Sequence, residues 1–181
     1  MGRVAVFIDG GYFSKVLEQF DRPTIDFMKL SSAVAGQDER LRTYYYHCAP
    51  FVSSMPTPDE RSRKAKFDSF VAALERLPRF MVRLGRLAKR DRDGKVEYEQ
   101  KMVDILLAID LVRLSVSHQI QRAVIFSNDT DFVPAICIAK EEGTVVDLYY
   151  HTLAQLHNDL IRACDTTTRI DKSFIDMIRR T

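Results

Sequence analysis

Charge interrupts every apolar stretch of this sequence well short of a bilayer's width, and Arg3 leads straight into the first apolar segment with no secretory pattern before it. A spanning helix needs about 20 predominantly apolar residues, so no membrane partner is expected and a cytoplasmic location is. Cysteine is scarce. Cys48, Cys137 and Cys164 share no metal-type spacing and lie in apolar or helical surroundings, which speaks for reduced, buried thiols and against a zinc or redox role. Only 7 glycines are present, and they form neither Gly-x-Gly-x-x-Gly nor a Gly-Lys-Ser/Thr phosphate loop, which removes two common nucleotide sites. Repeats, low-complexity tracts and linkers are missing, so residues 1–181 are expected to form a single domain with an adequate core.

What is present alternates from end to end. Arg3 to Ile8 reads as an apolar strand, followed by helices over Tyr12 to Phe20 and Asp26 to Ala35, the second with Thr24 as N-cap and Gly36 as its stop. Arg42 to His47 has strand composition. A capping box of Thr57 and Glu60, with Pro58 at the first helical position, starts a long helix that buries Phe67, Phe70, Val71, Leu74 and Leu77 and ends at Pro78. Phe80 to Ala88 is a strand, Asp93-Gly94 a turn, and Val96 to Glu99 a returning strand, a small hairpin. Further on come an apolar helix from Lys101 to Ser115, a buried strand from Ala123 to Ser127, and a helix from Pro134 to Glu142. A strand from Thr144 to Tyr150, a helix from Leu153 to Ala163 and a last helix after Asp171 complete the chain. Repeated strand–helix units of this kind imply a three-layer α/β/α sandwich on a mainly parallel sheet. The net charge of +2 is unremarkable, but twelve of the 27 Lys and Arg residues fall between Arg61 and Lys95. That cluster is either a solvated face or a surface turned towards a polyanion.

Carboxylates sit where such a sheet places ligands. The first strand runs into Asp9-Gly10-Gly11, the second buried strand into Ser127-Asn128-Asp129-Thr130-Asp131, and Asp104 lies on the apolar helix. Ligands of open parallel sheets gather at the carboxyl ends of the strands, and acids brought there from distant segments repel unless a hard cation lies between them. Asp104 shares a helical face with Leu107, Ala108 and Leu111, a costly place for an unpaired carboxylate. Asp110 occupies another sector and is expected to be a structural partner of a nearby donor. An Asx-turn with a helix cap accounts for one of Asp129 and Asp131, but less readily for both. His151 and His157 read as surface or core residues, His47 as one that can reach the site rim, and Tyr44, Tyr45 and Tyr46 as mostly core.

Three blocks, Phe-Ile-Asp-Gly-Gly-Tyr-Phe, Gln-Lys-Met-Val-Asp-Ile-Leu-Leu-Ala-Ile-Asp and Ser-Asn-Asp-Thr-Asp-Phe-Val-Pro, occur here in an order and spacing that resembles the NYN-domain branch of the PIN-like nuclease superfamily, notably its bacterial LabA-like members. The resemblance covers nearly the whole chain. It implies a parallel sheet of order 3-2-1-4-5, a Mg²⁺ or Mn²⁺ site of one or two ions on Asp9, Asp104, Asp129 and Asp131, and metal-assisted hydrolysis of RNA phosphodiester bonds. Tyr12 and Asn128 depart from the Asn and Gly usual at these positions and lie at the site rim. Tyr12, Arg86, Lys101, Ser127 and Asn128 are the expected nucleic-acid contacts, with Arg86 nearer than Arg83 to the carboxyl end of its strand. Two other functions fit the same residues: a regulatory nucleic-acid-binding module of little turnover, and a phosphohydrolase of small nucleotides. RNA is the expected partner, and a homo-oligomer is compatible with the sequence.

Overall fold

The computed structural model describes residues 2–92, 95–152 and 157–180, and of residues 86–92 and 95–101 only the backbone. The turn expected at Asp93-Gly94 and the start of the helix expected at Leu153 lie outside the described residues. Strands are β1 (Arg3–Asp9), β2 (Glu39–Cys48), β3 (Phe80–Arg92), β4 (Lys95–Lys101), β5 (Arg122–Phe126), β6 (Val145–Tyr150) and β7 (Thr166–Arg169). Helices are α1 (Gly10–Glu18), α2 (Phe27–Ala35), α3 (Pro58–Glu75), α4 (Val103–Val116), α5 (Val133–Glu141), α6 (Asn158–Ala163) and α7 (Lys172–Ile178), with a short 3₁₀ turn at Thr130–Phe132. The sheet runs β4-β3-β2-β1-β5-β6-β7. All neighbours are parallel except the antiparallel β3–β4 hairpin.

Val4 to Ile8 have no exposed surface, because β1 lies between β2 and β5 with helices over both faces. A strand buried on both faces is a continuous apolar run rather than an alternating one. Its side chains still alternate. Ala5 and Phe7 join a core with Tyr44, Tyr46, Leu107, Leu111 and Ile136 beneath α4 and α5. Val4, Val6 and Ile8 join a second core with Phe13, Leu30, Tyr45 and Ile175 beneath α1, α2 and α7.

The three-layer sandwich and the order expected for five parallel strands are present, and β7 adds a sixth beside β6. The Thr-Thr-Thr-Arg of β7 is exposed at every position, so no hydrophobic pattern marked it. The N-cap of α2 is Asp26, which accepts from the Met28 and Lys29 N–H groups, in place of Thr24. Lys101 ends β4 instead of opening α4. The capping box of Thr57 and Glu60 is formed. All three cysteines are free, but Cys137 is exposed, on the outer side of α5, while Cys48 and Cys164 are buried. Among the described residues no helix is long and apolar enough to cross a membrane.

Of the two acids on α4, the buried one is Asp110, at 4% exposure, while Asp104 is half-buried. The expectation that Asp104 lies in the core stripe is therefore corrected: it is half-buried in the first turn of α4, whereas Val103, Leu107, Asp110, Leu111 and Leu114 face inward. Asp110 accepts from Tyr46 Oη at 3.0 Å, Arg83 Nε at 3.1 Å and Arg113 Nη2 at 3.2 Å, so its charge is neutralised and its oxygens are occupied. These contacts tie α4 to β2 and β3. Removing one partner of a buried charge network leaves the others uncompensated. Asp110→Ala is expected to lower folding stability by roughly 3 kcal/mol, read by thermal or urea unfolding; a variant as stable as the parent would show that the network contributes nothing.

Candidate active site

The strand order reverses between β1 and β5: the chain moves outward from β1 through β2 and β3 on one side, and through β6 and β7 on the other. A crevice opens at such a switch point, beyond the carboxyl ends of the strands. Here it is a cleft of about 540 Å³, walled by Asp9, Gly11, Tyr12, Ser14, Lys15, His47, Asp104, Ser127, Asn128, Asp129 and Thr130. Asp9, Asp104 and Asp129 thus arrive from the end of β1, the start of α4 and the loop after β5.

Each is set by local structure. Asp9 is the N-cap of α1, its Oδ1 accepting the Tyr12 N–H at 3.0 Å. Gly10 must be glycine, because a Cβ there would lie 2.5 Å from the Tyr45 ring. Met102 turns the chain from β4 into α4 through a left-handed conformation, φ 78°, and this directs Asp104 towards the strand ends. Asp129 accepts the Asp131 N–H at 2.9 Å and caps the 3₁₀ turn, while its own N–H donates to Oγ of buried Ser127 at 3.2 Å. The Asx-turn belongs to Asp129, therefore, and Asp131 is exposed and absent from the cleft wall. Its charge still reaches Asp104.

The electrostatics are those of acids short of compensation. Burial, with the nearby charges of Asp104 and Asp129, raises the Asp9 carboxyl to about 6 against the hydrogen bonds of the Tyr12 and Gly11 amides. Burial, then Asp129 and Asp131, raise Asp104. Among the described residues none of the three cleft acids forms an ion pair. Asn128 adds an oxygen, Oδ1, that is shielded from solvent and has no hydrogen-bond partner among the described residues. Three carboxylates and an amide oxygen are a donor set suited to a hard cation such as Mg²⁺. Among the described residues, no three acidic, histidine or cysteine side chains form a ready-made ligand shell. The acids line the cleft without closing on a point, since closer approach of like charges is costly unless a cation offsets it.

The family model of the NYN domain matches residues 3–171. The chain belongs to the NYN domain family. That membership gives it the nuclease-like fold of the PIN superfamily, whose nucleases generally use divalent metals. A crystal structure of a protein of unknown function from Vibrio parahaemolyticus has the same fold, with a TM-score of 0.64 at 19% identity, covering 96% of this chain and 95% of that one. No curated protein matches.

Of the residues expected at the NYN site, Asp9, Tyr12, Asp104, Ser127, Asn128 and Asp129 line one cleft. Tyr12 is held there by the His151 N–H, which donates to its hydroxyl at 2.7 Å, and burial raises its phenol to about 12. Arg86 and Lys101 are backbone partners across the hairpin; their side chains lie outside the described residues. Lys15 went unnoticed in the sequence, although it stands three residues after Tyr12 and so shares its helical face. Ser14 and Thr130 were also missed, as each depends on how its turn is folded.

A carboxyl raised from 3.8 to about 6 keeps its proton in the folded state at pH values where the unfolded chain has lost it. Its contribution to stability is thus intact below about pH 4 and is lost as pH rises towards 6. In metal-free protein Asp9→Asn should abolish that part of the pH dependence. It should also raise stability at pH 7 by on the order of 2 kcal/mol, solvent screening at the open cleft included. Unfolding curves from pH 4 to 8 with chelator present test this; parallel curves for parent and variant would remove Asp9 from the set of strained acids.

Proposed function

We propose that this NYN domain protein is a divalent-metal-dependent nuclease that hydrolyses RNA phosphodiester bonds at the cleft of Asp9, Asp104 and Asp129. The observation that carries this reading is the placing of three carboxylates from distant segments on one cleft wall at the topological switch of the sheet, none with an ion pair among the described residues. Mg²⁺ or Mn²⁺ fits their oxygens, and when bound would supply a water of lowered pKa and an electrophile for the phosphate.

The remaining work falls to the protein's own groups. The Tyr12 and Gly11 amides orient Asp9, so they are not free to bind phosphate, and that task passes to Lys15, the cation on the cleft wall among the described residues. Ser127 fixes the backbone at Asp129 and thereby its carboxylate. No histidine is required as a base: His47 lines the cleft, but burial holds it below the usual histidine range, leaving it a neutral ring. Asp131, exposed and outside the cleft wall, acts on Asp104 through its charge.

Labelled RNA, single-stranded DNA and a free nucleotide, each incubated with Mn²⁺ and with chelator, distinguish this function from small-nucleotide hydrolysis and from binding without turnover. RNA cleavage restricted to the Mn²⁺ samples is expected. Asp129→Asn should abolish it, a loss of more than about a thousandfold, or roughly 4 kcal/mol in barrier. Asp131→Asn should retain at least about a tenth of the rate. Equal rates for the two variants would show that the cleft wall does not define the metal ligands.

A further inference from the structure

A second and larger cavity, about 760 Å³, opens between α1, β2 and α3. It exists because α3 is loosely seated: of its 18 residues only Leu74 is buried, and the Phe67, Phe70 and Val71 stripe expected to pack against the sheet is only half-covered. Phe70, Leu74 and Leu77 still reach the core, and aromatic rings border the space beside them. Phe67 meets His47 edge-on at 5.4 Å and Phe70 meets Tyr45 at 5.5 Å. Lys66, Arg180 and Asp26 stand on the same walls, two cations against one carboxylate, and Asp26 is already engaged as the N-cap of α2. Ser14 and His47 line both this cavity and the acidic cleft, so the two spaces share a wall at the carboxyl end of β2.

We propose that this cavity receives an unpaired nucleobase next to the phosphate bound in the acidic cleft, making the protein act where a strand is single or unstacked. The inference rests on the nucleic-acid reading of the cleft and adds to it the state of the substrate at the site of action. A strand whose phosphate lies at the acids must direct the neighbouring sugar and base somewhere, and the shared wall leads into the aromatic space. Stacking on aromatic rings is available to every base and requires no particular sequence. A base still paired in a duplex cannot enter a space between two helices without leaving its stack, which costs a few kcal/mol. The volume suits a nucleoside, within the roughly 300–1,000 Å³ of ordinary ligand pockets. His47 Nδ1 accepts the Cys48 N–H at 2.7 Å, so the neutral ring carries its proton on Nε2, a donor for an acceptor on the base edge. Lys66 and Arg180 supply the positive charge that a flanking phosphate would meet.

The test is equilibrium binding of a single-stranded RNA dodecamer carrying 2-aminopurine at successive positions, with Mg²⁺ present and Asp129→Asn used to prevent cleavage. One position is expected to show fluorescence quenched by stacking, and an abasic site there should weaken binding about tenfold, in line with one base–aromatic stack. Phe67→Ala should abolish both effects. Ala73→Phe, which fills the same cavity without removing a core contact, should do likewise, so a folding defect in the first variant does not mask the answer. Double-stranded RNA of the same sequence should bind at least tenfold more weakly. Quenching at no position, or an abasic penalty unchanged in both variants, overturns the inference. Cleavage of the base-free diester bis(p-nitrophenyl) phosphate by the parent protein separates the two readings. Hydrolysis without base capture removes the cavity and keeps the nuclease, and base capture without hydrolysis does the reverse.

Discussion

The structure depends on the complete burial of β1. A strand with no solvent on either face must be flanked by other strands and covered by helices on both sides, and this requirement builds the three layers. It also sets the place of the chemistry, because a strand so enclosed can carry a polar residue only where it ends. Asp9 is that residue. The reversal of strand order beside β1 leaves a crevice at that end, and the loop after β5, paired in register with β1, brings Asp129 into the same crevice. Packing and site thus share one cause: the central strand excludes charge along its length and releases it at its carboxyl terminus.

Carboxylates of one helix meet opposite fates here. Asp110 is enclosed by a tyrosine hydroxyl and two guanidinium groups, so its charge is balanced within the protein and it binds α4 to the sheet. Asp104, six residues earlier on the same helix, stands in the first turn of α4, near Asp129 and Asp131 and with no ion pair among the described residues. The difference is compensation. A balanced carboxylate is structural, whereas an unbalanced one, held near others by a rigid sheet, is a charge deficit that a bound cation can neutralise. Strain of this kind is what sets a site apart from a surface cluster, whose acids relax into solvent.

The loosely seated α3 belongs to the same logic. Its N-terminus is well made, with a capping box and a proline in the first turn, so the helix forms readily from local interactions. Its inner face touches β2 through Phe67 and Phe70, which are only half-buried and border a cavity. Local stability with incomplete docking leaves an aromatic space beside the acidic cleft, and the two share Ser14 and His47.

Much of this was legible in the residues. The apolar runs ending in Asp9 and before Asp129 disclosed central strands and a site beyond them, since buried parallel strands have that pattern. The capping box named the start of α3, and the position of Asp110 marked it as a structural partner. What the chain alone could not disclose depended on contacts between distant segments. β7 is polar at every residue and exists only because β6 offers it an edge. Asp104 was read as a core residue because helical periodicity counts faces and not ends, and only the fold shows that Asp104 in the first turn of α4 lines the cleft. Lys15 entered the site through the angle at which α1 leaves Asp9. Sequence by itself determined which segments are buried and which residue types end them, for hydrophobic burial and capping are local and periodic. Tertiary structure alone decided which carboxylates meet and which are neutralised, because compensation of charge depends on neighbours that the order of residues does not contain.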